Sequence, residues 1–527
     1  MASVSKVSPE LTAQGAPDLF RNEFRRNMGQ ISRQSVTYFA GTIFTMGAGY
    51  LVKIYVARVL GAELLGLYAL GITLVSLTQM LGSLGLSGAA GRYVAVYNAT
   101  GRYDDLRGFL VRSVGIVFFL NSILSVGLVF RGGWVAQHLY RAPGLAQYIP
   151  LFAILTVLGA LNLHMCQVLA GYKDIAKRTV ITNFVGTSLL SALTVILLAL
   201  GTGMRGYLWA QVVNSIVIVG LLIAVAWRLT PKPAHFSNVA LPRLGPEVKA
   251  FAAASFGMSA LDFLVSQADK ILLGLYLNPS LVGIYVVASS LSALIPLILQ
   301  SVNQIFAPVI ADLHSRKRHD VLQRVFQSVT KWVLGLTLPL AFVVIAFAVP
   351  LMRIFGPAFE PGWPVLVIGA VGQVVNCAVG SVGYLLLMSG NQNRFMKIQF
   401  AMVGVSLAIN IGLIPVLGVV GAALAAAAVN AASNIWCLME VRTCLRIFPY
   451  NRSYFALAIP AALAIGAVVL LRYWTASMAR PWLPILGALA AAYTIFVGVA
   501  LRFALDEDDR MIATSAWAQV RSSLLRR

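Results

Sequence analysis

Apolar runs of about 20 residues, the length that crosses a lipid bilayer as a helix, recur fourteen times along this chain. They lie near 36–58, 67–89, 109–130, 149–170, 180–201, 206–227, 250–276, 281–305, 332–352, 364–388, 398–417, 420–439, 453–471 and 482–501. A helix rises about 1.5 Å per residue, so each run spans about 30 Å of hydrocarbon. No soluble core can bury so many. Of 527 residues, 59% are hydrophobic and only 11% are charged, at a mean hydropathy of +0.82. A water-facing surface needs about a quarter of its residues charged. The expected fold is therefore all-α and polytopic. Residues 1–34 are polar and the first apolar run is too long for a signal-peptide core, so a cleaved leader is not expected.

Charge distribution sets the orientation. Fourteen spans put both termini on one side. The segments on that side hold 31 Lys and Arg, and those on the other side hold 7: Arg58, Arg131, Arg141, Arg205, Arg353, Arg472 and Arg480. Lys53 and Lys270 fall within spans. Basic residues stay in the cytoplasm, so both termini are expected there, in a bacterial inner membrane. The net charge of +22 then reflects topology and contact with anionic lipid, and calls for no nucleic acid. Every loop is short, so no soluble domain is expected. Four cysteines at unrelated spacings suggest neither a disulfide framework nor a metal site.

The chain repeats itself. Shifted by 217 residues, KIYVARVLGAELLGLYAL (53–70) falls on KILLGLYLNPSLVGIYVV (270–287), matching Lys53 to Lys270, Gly66 to Gly283 and Tyr68 to Tyr285. A weaker match joins 171–178 to 390–397 at a shift of 219. The shift covers an even number of spans, so the copies run parallel and flank a central cleft, an arrangement suited to alternating access. The expected organisation is an N-terminal tail (1–34), a six-helix lobe (35–228), a linker (229–249), a second six-helix lobe (250–440), two further spans (441–503) and a C-terminal tail (504–527).

Polar stripes mark the expected path. The seventh span carries Ser255, Ser259, Asp262, Ser266 and Asp269 on one helical face. Carboxylates facing lipid cost several kcal/mol, so these face protein or water. The first span carries Tyr38, Thr42, Thr45 and Lys53 on one face, at matching positions of the repeat. Both stripes are expected to line the cleft. Asp262 and Asp269 are candidates for ion coupling, and Lys53, Arg58 and Lys270 for holding an anion. An ion pair within one lobe, joining Asp269 to Lys53 or Lys270, is the competing reading. His164 is expected to be packed and satisfied. Asn121, Asn183, Asn214, Asn376, Asn410, Asn430 and Asn434 are expected to bond between helices. Pro296 and Pro339 are expected to kink their spans.

With these residues in view, the chain resembles the Wzx-type oligosaccharide flippases of the multidrug/oligosaccharidyl-lipid/polysaccharide exporter superfamily. The resemblance is carried by VARVLGAELLGLYALGITLVSL (56–77), GLSGAAGRYVA (85–95), QADKILLGLYLNPSLVGIYVVASSL (267–291), FGPAFEPGWPVLVIGAVGQVV (355–375) and RAPGLAQYIPLFAIL (141–155). It implies two lobes that carry a polyprenyl-pyrophosphate-linked oligosaccharide from the cytoplasmic to the periplasmic leaflet, with no catalysis and no cofactor. The implied partners are that lipid-linked substrate, membrane lipids, and a polysaccharide polymerase with its export machinery. No phosphate-binding glycine loop is present, so ATP is not the expected driver. An ion-coupled multidrug exporter of the same superfamily stays open as the alternative. A lipid II flippase and a membrane polymerase or ligase fit less well.

Overall fold

A computed structural model describes residues 16–231, 242–475 and 482–503. The expected tail 504–527, most of the linker and Arg480 lie outside the described residues. The described part contains helices and no strand. We number the helices α1 (Ala16–Ser83), α2 (Leu86–Ala99), α3 (Tyr103–Trp134), α4 (Ile149–Gly171), α5 (Ile175–Thr179), α6 (Gly186–Ala199), α7 (Gly203–Leu229), α8 (Pro246–Tyr276), α9 (Pro279–Ser292), α10 (Leu297–Ser315), α11 (His319–Ala346), α12 (Ala348–Phe355), α13 (Trp363–Val379), α14 (Val382–Met388), α15 (Gln392–Leu445), α16 (Arg452–Phe455), α17 (Ala458–Trp474) and α18 (Trp482–Phe503).

Ten of these helical segments are long and apolar enough to cross a membrane, or eleven if the bent pair α9–α10 counts as one. Two are double: α1 breaks at Gly61 (φ 75°) and α15 at Gly418 (φ 59°). Such backbone suits glycine, because a Cβ clashes there. The apolar helix α17 is shorter, at 17 residues. The α9–α10 bend is 52°, and Pro296 stands at the head of α10, as expected for a residue that cannot donate to the preceding turn. α11 passes through Pro339 without a break.

Positive-φ positions recur in the two halves. Gly101 and Lys317 are 216 residues apart, Arg141 and Gly356 215, Lys173 and Gly390 217, and Gly201 and Gly418 217. Each pair ends or breaks a helix, so the halves turn at the same places. The Lys173–Gly390 match corrects the 219-residue register expected at that turn: the backbone keeps a shift of 217.

The chain divides into two compact units. The first holds residues up to Tyr55, 75–130 and 149–259; the second holds 56–74, 131–148 and 260 onward. These cuts follow packing and the expected lobes follow the repeat, so the two do not coincide. The tip of the first helical hairpin, 56–74, packs with the second unit, and the first turns of α8 pack with the first.

The first unit is cored by Leu86, Tyr93, Phe109, Leu161, Val168, Leu222 and Ala252, drawn from α2, α3, α4, α7 and α8. In the second unit, α17 and α18 pack on α11 around Leu334, Leu457, Ala464 and Phe496. Tyr493 Oη donates to the Leu336 carbonyl at 2.8 Å, and Tyr454 Oη donates to the Ala378 carbonyl at 2.9 Å. A second core joins Phe306, Phe326, Leu385, Ile398, Cys437 and Val441.

Candidate functional site

Helix α8 presents its polar face to three different surroundings. Ser255 is half-buried against α2, where a Cβ added to Gly88 would lie 1.9 Å from Ser255 Oγ. Ser259 and Asp262 are exposed. A carboxylate exposed on an apolar membrane-length helix must meet water and not lipid, so this part of α8 borders a wet surface. Ser266 is also exposed, and its carbonyl accepts from Lys270 Nζ at 2.8 Å.

At the far end of the stripe, Asp269 and Lys270 are neighbours with separate partners. Tyr285 of α9, 2% exposed, donates to Asp269 Oδ2 at 2.6 Å. The Lys270 backbone N–H donates to Asp269 Oδ1 at 2.8 Å. The Lys270 ammonium reaches the Ser266 carbonyl and Gln267 Oε1, the latter at 3.0 Å. Three donors and two acceptors are thus settled within the second unit. Tyr285 was absent from the sequence reading. Its signal was present, since Tyr68 and Tyr285 match in the repeat.

The stripe of α1 is also divided. Tyr38 is 48% exposed, and Thr42 Oγ1 donates back to the Tyr38 carbonyl at 2.8 Å. Thr45 turns to the segment between α5 and α6, donating to the Asn183 carbonyl at 3.3 Å and meeting Thr187 Oγ1 at 3.0 Å. Thr45 and Ser255 therefore face neighbouring helices. Lys53 is half-buried. Arg58 is exposed, and its Nε donates to the Ile354 carbonyl in α12 at 2.7 Å. That atom holds main chain, not an anion.

His164 is fully buried, with Nε2 3.0 Å from Ser113 Oγ and Nδ1 3.5 Å from Ser87 Oγ. Its two ring nitrogens link α4 to α3 and α2. The asparagines need a correction. Asn121, Asn410 and Asn434 donate to carbonyls four residues back in their own helices, and Asn376 donates to Gln373 one turn away. Such back-bonding satisfies the amide without a neighbour. Inter-helix polar bonding falls instead to pairs such as Asn303 with Ser381 and Gln399 with Ser433. Among the described residues, no group of three or more His, Cys, Asp or Glu is placed to hold a metal ion.

Two repeated sets of membrane-length helices, polar where they border water, define a polytopic membrane protein of the transporter kind of fold. Solved structures share that fold. The lipid II flippase MurJ, in an inward closed conformation, superposes with a TM-score of 0.69 at 13% identity, covering 88% of this chain and 98% of that one. An inward-facing multidrug resistance MATE family transporter of the MOP superfamily gives 0.62 at 12% identity, covering 78% and 98%. The chain belongs to the polysaccharide biosynthesis protein family, whose model matches residues 54–360. Its relatives include the probable flippase AglR of Haloferax volcanii, 24% identical over 76% of this chain and 80% of that protein. Another is the succinoglycan biosynthesis transport protein ExoT of Rhizobium meliloti, 25% identical over 61% and 62%.

Proposed function

We propose that this protein is a flippase for a lipid-linked oligosaccharide, moving it from the cytoplasmic to the opposite leaflet of a bacterial inner membrane. The observation that carries the reading is membership of a polysaccharide-biosynthesis family on a two-repeat transporter fold. The names of the relatives, a probable flippase and a succinoglycan transport protein, point the same way. The reading is transport without covalent chemistry. We further propose fourteen crossings with both termini cytoplasmic, supported by the 31 to 7 division of Lys and Arg. The two six-helix lobes, 35–228 and 250–440, move relative to one another in alternating access. A polysaccharide polymerase with its export machinery would receive the product.

Within this reading Lys53 and Lys270 attract the pyrophosphate, and Asp262, the exposed carboxylate of α8, takes the coupling ion. Loss of the protein should leave the lipid-linked sugar on the cytoplasmic leaflet, measured by its protection from an external glycosidase or periodate. Finding it fully accessible from outside in the null strain sinks the proposal. Lys53→Ala with Lys270→Ala should reduce export while the protein still inserts; unchanged export removes both from the path.

A second reading, ion-coupled export of amphipathic cations, draws on the exposed Asp262. Drug resistance on overexpression, lost in Asp262→Asn, would favour it over the first.

A further inference from the structure

Two glycines at equivalent places in the repeat pack backbone to backbone. Gly66 and Gly283 are 217 residues apart, as are Ala62 and Pro279. A Cβ added to Gly66 would lie 1.7 Å from the Pro279 carbonyl oxygen and 3.0 Å from the Gly283 nitrogen. A Cβ added to Gly283 would lie 2.1 Å from the Ala62 carbonyl oxygen and 2.9 Å from the Gly66 nitrogen. Exchanging the repeats exchanges the two sets of contacts, so the crossing lies on a local two-fold axis. All four residues belong to the second compact unit.

The crossing is small by composition. Ala62, Gly66 and Gly283 carry little or no side chain, which is what lets two helices touch through their main chains. Each glycine aims a Cα hydrogen at the other helix's carbonyl, a weak bond that forms and breaks without repacking any side chain. One turn further along, Leu70 meets the bare face of Gly274, where an added Cβ would lie 2.4 Å from Leu70 Cδ2 and 2.8 Å from the Tyr140 ring. Arg58, bonded to the Ile354 carbonyl, closes the other side. These contacts join the tip of the first repeat to the second repeat, at the end of α1 remote from its start.

We infer that the Gly66–Gly283 crossing is a gate: it shuts the far end of the transport path, and it must part for that end to open. The inference rests on the transport reading for what passes, but the gate itself is read from geometry. Lobes that move as bodies must break the contacts between them and keep those within them. A joint made of main chain and weak bonds is suited to breaking repeatedly. It also tolerates no added methyl: a Cβ needs over 3 Å of clearance, and Gly66 offers 1.7 Å.

The test reads gate position without reference to cargo. Ala69, 7% exposed, lies on the same helical face as Gly66, three residues on. With half-buried Cys444 replaced by Ala, Ala69→Cys supplies one reporter thiol for a membrane-impermeant maleimide added outside cells. In the glycine background it should react slowly. Adding Gly66→Ala and Gly283→Ala should raise its labelling rate about tenfold or more, by shifting a minor open state toward dominance. Gly127→Ala, whose Cβ would meet nothing within 4 Å, should not change the rate. A monodisperse double-alanine protein whose thiol stays shielded overturns the gate.

If the double variant fails to fold, a disulfide decides. Glu63 and Ser280 each stand three residues, about 4.5 Å of helix, from the crossing. Oxidised Glu63→Cys/Ser280→Cys should lose export and regain it on reduction. Undiminished export by a fully cross-linked protein also overturns the proposal. Shielding of the Ala69→Cys thiol bears on the gate alone, whereas a null strain with the sugar already outside bears on the cargo alone.

Discussion

Replacing Tyr285 with Phe should separate an architectural role for Asp269 from a coupling role. The substitution deletes one hydroxyl from a residue that is 2% exposed and leaves the ring in place. What is lost is the 2.6 Å bond from Tyr285 Oη to Asp269 Oδ2. A hydrogen bond to a charged group contributes about 1.5–3 kcal/mol. Asp269 is half-buried, and water can take part of the place of the phenol, so about 1–2 kcal/mol is expected. Asp269→Asn keeps an acceptor for the Lys270 backbone N–H but loses the charge assistance, and should cost a similar amount. The double variant should cost no more than the larger single one, which leaves a coupling of about 1–2 kcal/mol in a double-mutant cycle. Unfolding in mixed micelles of mild detergent and dodecyl sulfate, followed by tryptophan fluorescence, gives the three values. Costs that add, with coupling under about 0.5 kcal/mol, would refute the bond. The export phenotype completes the test. If Asp269 is an anchor, export by Asp269→Asn should fall only with the amount of folded protein. Complete loss in a well-folded variant would return Asp269 to ion coupling.

Other consequences can be measured on the same preparations. Tyr454→Phe and Tyr493→Phe should each cost about 1 kcal/mol and loosen α17 and α18 from their supports, seen as faster proteolysis between residues 482 and 503. Gly418→Ala should cost about 1–3 kcal/mol, because φ 59° with ψ −135° is backbone that glycine alone adopts easily; a wild-type melting temperature would contradict this. Tyr140 lies outside the apolar spans, and burial pushes its hydroxyl up from 10.0 to about 12. The folded state thus holds this proton where the unfolded chain releases it. The resulting stabilisation is whole below pH 10 and is lost as pH rises toward 12. Tyr140→Phe should flatten the stability profile between pH 10 and 11.5, and an unaltered slope would assign the alkaline transition elsewhere.

Much of the architecture was legible because lipid imposes a simple rule. Membrane-length apolar runs, Gly61, Gly418 and the Pro296 bend all fall where the sequence places turns or breaks. The repeat was legible too, although its register at Lys173 and Gly390 was misplaced by two residues where few side chains match. The polar stripes were legible as stripes and less so as surfaces. A helical face is continuous in sequence, whereas its neighbours change every turn or two. Ser255 meets Gly88, Asp262 meets water, and Asp269 meets Tyr285. The destination of Arg58, a carbonyl 296 residues away, has no trace in composition or spacing. The asparagines misled for a related reason: a side chain that can satisfy itself on its own helix leaves no mark of having done so.

The placement of residues 56–74 has a practical consequence. The tip of the first hairpin is housed with helices that follow residue 260, and the opening turns of α8 are housed with those that precede it. The halves are thus dovetailed, each holding a tenon cut from the other. Covalent continuity between Pro231 and Pro242 then contributes little to keeping them assembled. Two separately translated pieces, divided there, should co-purify as one stoichiometric particle without the peptide link, whereas pieces that elute apart would show that the joinery depends on it.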